Sequence, residues 1–544
     1  MDCIATRLPY RQTKSFTTTT LDYIDQAPGL SPFYIHTPTI TGIQKAVAAR
    51  KAYDERTGPT YRQTLVDILR QQYKGKTTAE KVADNIDALL LPGTYTITTA
   101  HQNNIFSGPL YFIYKIIHAI RLARHLSENI KDSRFIPVYY MGSEDADFDE
   151  LNHIHLGGSR IEWKTSQTGA VGRMKIDKSL VKLVDEIEGQ LSVLPHGKEY
   201  TTVLRKHYRE GVLLQEATFG FVDELFSSYG LVVLIPDHAA LKKQVVPVMK
   251  QDLFEHQPFE IVSGTTKQLE AAGYKSQAQP REINLFYLAD GIRGRIDRQG
   301  DFFTVQMPES VTGPGIRFTE NEINRELEEH PERFSPNVIL RGLYQETILP
   351  GVAFIGGGGE LAYWLQLKDL FSHYNIPFPA LVLRNSFLIV EKKWQERTQR
   401  LGFATEDLFA TEKDLVEKIV RRESKTDTKL NGTITLLEQL YDSVKKQAAV
   451  TDITLEQHVD ALRHRSLHKL RELEKKMWRA EKRKFADQQR QVTVVRNQLF
   501  PGNGLQERHD NLGYYYARWG PAFIEQVLAN SPALEQEFVV LEER

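Results

Sequence analysis

The sequence predicts an α/β protein: an open, largely parallel sheet interrupted by insertions and followed by long paired helices. Three observations predict it. A strand, a polar loop, a long amphipathic helix and a second strand run in order through residues 94–155. A second run of helix, strand, glycine-rich turn, helix and strand occupies 335–392, and apolar residues step by three and four along 434–480. Strand, helix and strand in sequence is the pattern of a parallel sheet, and the later stepping is the pattern of a coiled coil.

Residues 1–93 read as mainly helical, with Gly29-Leu-Ser-Pro and Thr57-Gly-Pro-Thr as breaks. Residues 94–160 form the first half of the sheet. TYTITTAHQ is the opening strand, and Leu110, Ile113, Tyr114, Ile117, Ile120 and Leu122 then recur at helical spacing. Ser107-Gly108-Pro109 reads as the helix start, with Ser107 as N-cap and Pro109 in the first turn. Unpaired backbone N–H groups there favour an anion, although Ser107 serves equally well as a cap alone. FIPVYYMG is the second strand, and SEDADFDELNHIH follows it. In an open α/β sheet these strand ends and the helix start adjoin, so His101, Gln102, Ser107, Asp145 and Asp147 are expected to line one crevice.

The acidic run has other readings. Asp145, Asp147 and Asp149 have the odd spacing of a calcium loop, but Glu150 and Leu156 stand where that loop needs Gly and Glu. Carboxylates that complement a helix dipole are the remaining alternative. His153 and His155 face opposite ways on a strand, so no metal ligands are assigned and a metal requirement stays open.

Residues 161–334 read as connecting insertions. TFGFVDELFSSYGLVVLIPDH predicts a helix leading into a buried core strand near 231–235, and runs such as EINLFYLADGIRGRI predict an inserted β subdomain within 261–320. Residues 335–392 form the second half of the sheet. Gly356–Gly359 lacks the Lys-Ser/Thr of a phosphate-binding P-loop, and the third glycine of a dinucleotide motif falls on Leu361, so both motifs are disfavoured. The glycines allow close approach of a ligand or tight strand-to-helix packing, while Glu360, Tyr363 and Trp364 beside them suggest a polar, stacking site.

Residues 393–500 read as a helical coiled-coil domain. Ile434, Leu437, Tyr441, Val444 and Ala448 step by three and four, as do Leu455, Val459, Leu462, Ser466, Leu470, Leu473, Met477 and Ala480, with a stutter near 466. A hairpin, a dimer seam and a bundle within one subunit all fit. The basic residues between 463 and 484 are most simply a solvated helix face. Residues 501–544 are expected to return towards the core.

The 544 residues include 69 Lys plus Arg against 70 Asp plus Glu, a net charge of −1 that gives no bulk attraction to nucleic acid. Cys3 is the only cysteine, which excludes an internal disulfide or a multi-cysteine zinc site. No apolar run is long enough for a membrane span, and the first residues lack a signal-peptide core, so a cytoplasmic protein is expected.

Five segments, AHQNNIFSGPLYFIYK, SEDADFDELNH, LRGLYQETILPGVAFIGGGGELAYWLQLK, FPALVLRNS and LFPGNGLQERHDN, resemble the successive motifs of the bacillithiol-synthesis cysteine ligase family, BshC. The resemblance implies a Rossmann-like core with connecting insertions and a C-terminal coiled coil that pairs two subunits. It implies addition of cysteine to the amino group of glucosamine malate, forming an amide. Carried onto this chain, the pocket residues are His101, Gln102, Ser107, Gly108, Tyr111, Lys115, Glu144, Asp145, Asp147, Asn152, Arg341, Gln345, Glu346, Gly357, Gly358, Glu360, Trp364, Arg384 and Ser386. Two departures stand out: Ala100 replaces the Gly of T-G-H-Q, and Ala146 replaces the His of E-D-H-D. A Cβ at 100 is restrictive if φ must be positive there, and the change at 146 removes a candidate acid or base.

The layout is also similar, at the level of fold, to class I aminoacyl-tRNA synthetases, especially the cysteine enzyme. A free carboxylate does not acylate an amine in water, so the reaction needs activation, as an adenylate or acyl phosphate, and ATP is the expected cofactor. Lys115 and Arg384 are expected to offset phosphate charge, Asp145 or Asp147 to hold the cysteine ammonium, and His101 to orient phosphate or carry a proton. The alternative is a non-catalytic thiol- or nucleotide-binding scaffold.

Overall fold

A computed structural model describes residues 1–307 and 315–544. The chain divides into two compact units, Met1–Ile389 with Gly504–Arg544, and Val390–Asn503.

The first unit is built on a five-stranded, wholly parallel sheet of β1 (Thr94–Gln102), β2 (Arg134–Gly142), β3 (Val232–Leu234), β4 (Gly351–Gly356) and β5 (Ala380–Leu383), in the order β5-β4-β1-β2-β3. The order reverses between β1 and β4. Nearly every residue of these strands is buried, as expected where helices cover both faces of a parallel sheet. Helix α1 (Leu110–Asn129) crosses from β1 to β2 and packs Ala119, Leu122, Ala123 and Leu126 against Tyr95, Ile97, Val352 and Ile355. Helix α2 (Val338–Ile348) precedes β4, and the short helix α3 (Gly358–Trp364) follows it.

Sequence expectation and structure differ at the start of α1. Ser107 is no N-cap: it closes a 3-10 turn with φ +70°, and Pro109 (φ −72°, ψ 154°) holds the N-cap position. Phe106, Ser107 and Gly108 all have positive φ. This backbone, costly for the two non-glycine residues, is clamped from the far end of the sequence. Asn511 Nδ2 donates to the carbonyls of Phe106 (2.9 Å) and Gly108 (2.6 Å), and Leu110 N donates to Asp510 O (2.8 Å).

The N-terminal region is mainly helical but begins with a strand. Cys3–Pro9 pairs antiparallel with Glu537–Glu543, from Cys3↔Glu543 to Pro9↔Glu537. Within the insertions, a five-stranded antiparallel sheet contains Leu285–Ala289, Ile292–Gln299 and Phe334–Pro336, the last leading directly into α2.

In the second unit, α4 (Asn431–Thr451) and α5 (Leu455–Arg483) form an antiparallel hairpin. Tyr441 OH and Ser466 Oγ share a hydrogen bond of 2.8 Å, and Lys445 Nζ meets Asp460 Oδ2 at 2.7 Å. Among the described residues no helix is long and apolar enough to cross a membrane.

Candidate functional site

A cavity of about 510 Å³ opens over the carboxyl ends of β1, β2 and β4, where the strand order reverses. Ligands of open α/β sheets bind at such a switch point. Its wall joins segments far apart in sequence: Ala100–Gln102, Tyr111 and Lys115 of the first βαβ unit, and Gly357–Glu360 of the glycine turn.

Lys115, buried on α1, donates to Ala100 O at 2.9 Å and forms an ion pair with Glu360. Glu360 also caps its own helix, accepting from Gly357 N at 2.8 Å. Burial lowers the Lys115 pKa, Glu360 opposes the shift, and Arg384 and Arg341 add to it. Arg384 follows β5 and reaches Glu507 Oε1 at 2.7 Å, with its guanidinium 5.1 Å from the centre of the Tyr111 ring. The His101 imidazole stacks on Phe112 at 4.8 Å, and its Nε2 is buried without a hydrogen-bond partner. Burial, with Lys115 and Arg384 nearby, holds this pKa well below the usual histidine value, so the ring is neutral at physiological pH.

The acidic side lies past β2. Gln102 Nε2 donates to Asp145 Oδ2 at 2.7 Å, while Asp145 Oδ1 accepts from Ala146 N (2.7 Å) and Asp147 N (3.2 Å). Glu144 pairs with the buried Lys242, which also meets Asp237 Oδ1 at 3.2 Å. Burial raises the Glu144 pKa against the pull of Lys242. The Asp237 carboxyl stays well below the usual range because Lys242 and Arg173 outweigh its own burial.

Of the residues expected from sequence, the cavity wall includes His101, Gln102, Tyr111, Lys115, Glu144, Asp145, Arg341, Gly357, Gly358, Glu360 and Arg384. The others lie off it. Asp147 is exposed beyond the Asp145 turn. Ser107 and Gly108 belong to the clamped turn before α1, and Asn152 is buried beside His153 with 3.1 Å between Asn152 Oδ1 and His153 Nδ1. Trp364 is a core residue stacked on Phe354 at 4.6 Å. Glu346 forms a fully buried ion pair with Arg50 (2.9 Å) and accepts from Gln345 Nε2 at 2.9 Å. Ser386 donates to Glu507 Oε1 at 3.0 Å. These groups support wall residues from behind: Gln345 Oε1 accepts from Arg341 at 3.4 Å, and Ser386 Oγ accepts from Arg384 at 3.2 Å.

Sequence reasoning assigned no pocket role to Tyr140, Ser143, Glu150, Arg293, Ser335 or Arg508, which also line the cavity. Arg508 lies in the quoted LQERHDN segment, so a signal was available. Arg293 and Ser335 come from the antiparallel insertion and had none. Ala100 does not have positive φ, so its Cβ imposes no backbone strain. Among the described residues no group of three or more His, Cys, Asp or Glu side chains is arranged to hold a metal ion.

Two family models match the chain. The N-terminal Rossmann-like domain of bacillithiol biosynthesis BshC covers residues 3–385, and the C-terminal coiled-coil domain covers 387–543. Proteins named "putative cysteine ligase BshC" from Christiangramia forsetii and Flavobacterium johnsoniae are each 36% identical, over 98% and 99% of both chains respectively. The protein of that name from Cytophaga hutchinsonii is 35% identical over 93% of both chains. A Campylobacter jejuni structure described as a putative arginyl tRNA synthetase aligns at 10% identity and a TM-score of 0.21, over 87% of this chain and 97% of that one, and carries no argument. With matching domain models end to end and relatives above one-third identity over nearly the full length, the chain belongs to the BshC family of bacillithiol biosynthesis.

Proposed function

We propose that the cavity joins cysteine to the amino group of glucosamine malate, forming an amide, with ATP as the reagent that activates the cysteine carboxylate in an adenylate-like way. The observation that carries this reading is that both signs of charge line one cavity: Lys115, Arg341 and Arg384 together with Asp145, Glu150 and Glu360. Such a wall suits substrates that present an ammonium and carboxylates together.

ATP, when bound, supplies the leaving group that a free carboxylate lacks. Lys115 and Arg384 are the residues to hold its phosphates, because both are fixed by internal ion pairs and need no reorganisation as charge develops. Asp145, its orientation set by Gln102, holds the cysteine ammonium. The acceptor amine attacks the activated carbonyl carbon, the C–N bond forms as the leaving group departs, and the nitrogen sheds a proton. The departing group takes that proton, and His101, kept neutral beside Lys115 and Arg384, is the group to orient the phosphate.

The rival reading is a binding scaffold, favoured by the internal partners of Lys115, Glu360 and Arg384. Purified protein incubated with cysteine, glucosamine malate and ATP, followed by mass spectrometry, separates the two. The ligase reading expects bacillithiol only when all three are present, and at least about a 100-fold loss in His101→Ala. Substrate binding without any product points to the scaffold. We also propose a cytoplasmic homodimer formed through the second unit, where Leu436, Leu440, Val444 and Leu473 leave apolar surface exposed on the hairpin. Sedimentation equilibrium tests the pairing, and a monomer at micromolar concentration counts against it.

A further inference from the structure

We infer that Arg293 and Arg341 form a recognition subsite for a dicarboxylate, the malyl group of the acceptor, an assignment that takes the acceptor's identity from the ligase reading. Lys115 is matched by Glu360, Arg384 by Glu507, and Lys242 by Glu144 and Asp237. Arg341 and Arg293 have no carboxylate at ion-pair distance among the described residues. The Arg341 guanidinium donates to Tyr363 OH and Gln345 Oε1, both neutral. That of Arg293 lies 3.8 Å from the centre of the Phe286 ring, and its Nε is buried without a hydrogen-bond partner. Both guanidinium groups are partly buried on the cavity wall with no carboxylate at ion-pair distance, an arrangement that an anionic ligand completes.

The fold brings a third polar group to the same place. Ser335 pairs with Phe286, and Arg293 pairs with Leu288 on the next strand, so Ser335 and Arg293 share the sheet face that carries Phe286. Ser335 is fully buried, and its Oγ has no partner. Two residues further on, Asn337 caps α2, and its carbonyl accepts from Arg341 N at 2.8 Å. Arg293, Ser335 and Arg341 all line the cavity. Two planar five-donor forks with an added hydroxyl suit two carboxylates, each held by parallel hydrogen bonds. Glu144 and Asp145 act electrostatically on Arg293 and disfavour a polyphosphate at this end of the cavity.

Titration calorimetry with L-malate and L-lactate on wild type, R293Q, R341Q and R293K tests the subsite without requiring turnover. The expected result is tighter binding of L-malate than of L-lactate to wild type by about 10-fold or more, loss of that preference in R293Q and R341Q, and partial retention in R293K. In turnover, R293Q should raise the glucosamine malate KM about 10- to 100-fold and leave the cysteine and ATP KM values within about twofold. Malate binding equal in R293Q and wild type, no malate binding by wild type, or a rise in the ATP KM alone would each overturn the inference. Absence of amide product while the malate preference survives would refute the ligase reading and leave the subsite standing.

Discussion

Glu507 is the residue whose loss separates support from chemistry most sharply. Its side chain is 0% exposed and that of Arg384 is 4% exposed, with 2.7 Å between them. Glu507 also accepts from Ser386 Oγ (3.0 Å) and Phe387 N (3.1 Å). Glu507→Gln keeps the volume and one amide oxygen, which can serve only one of those two donors because they sit on different carboxylate oxygens, and leaves a buried guanidinium without its counter-charge. Breaking one side of such a pair costs about 3–5 kcal/mol. For a unit of this length, unfolding entropy makes each kcal/mol worth roughly 1 °C, so Tm should fall by roughly 3–5 °C. Replacing Arg384 as well removes the unpaired charge, so Arg384→Met with Glu507→Gln, which keeps an acceptor for the Phe387 N–H, should recover part of that Tm. If Arg384 acts on substrate, the double variant remains inactive despite its partly restored stability. Differential scanning calorimetry beside the mass-spectrometric assay reads both quantities. A Glu507→Gln protein with wild-type Tm would refute the energetic reasoning, and an active double variant would remove Arg384 from the chemistry.

Three other outcomes follow from the geometry. Lys115→Met removes a fixed positive charge and should lower kcat by about 100-fold or more in a steady-state assay; a loss below about threefold would show that Lys115 only balances Glu360. Gly108→Ala places a Cβ 2.6 Å from Asn104 Cβ at a φ of +60°, so the turn before α1 must shift, and a fall in Tm together with activity is expected, whereas no change in either would contradict the clamped-turn account. Burial raises the Asp252 pKa from 3.8 to about 7, although Asn284 N and Nδ2 donate to it at 2.6 Å and 2.9 Å. The folded state therefore holds the extra proton, and this contribution is complete below about pH 4 and lost as pH rises through about 7, a swing on the order of 4 kcal/mol. Urea denaturation at pH 5 and pH 8 should show wild type losing more stability than Asp252→Asn, and equal losses would contradict the assignment.

Much of the first unit was legible because its signals are local. The β-branched run of β1, the near-continuous apolar runs of β2 and β4, the period of α1, and the rule that adjacent strand ends form a crevice together predict that His101 and Lys115 approach the glycine turn. Their meeting with Glu360, more than 200 residues away, follows from the parallel order. Motif density was a poorer guide, because it marks supporting residues as strongly as wall residues. Trp364, Gln345, Glu346 and Ser386 sit in the quoted segments, yet they pack or hydrogen-bond behind the surface. Asp147 was indistinguishable from Asp145 by type, and only the turn closed by Asp145 Oδ1 sends it outward.

What was illegible depends on distant pairing. The clamping of the turn before α1 by Asn511, and the pairing of Cys3–Pro9 with Glu537–Glu543, are each set by residues hundreds of positions away. The same holds for Arg293 and Ser335, which reach the cavity only because an antiparallel insertion leads into α2.

The central claim, that substrates bind at the reversal of strand order, is tested most directly by hydrogen–deuterium exchange with and without glucosamine malate. Protection confined to peptides spanning 100–115, 141–145, 293–299, 335–345 and 357–363 is predicted. Protection absent there and concentrated on the hairpin at 433–473 would contradict it.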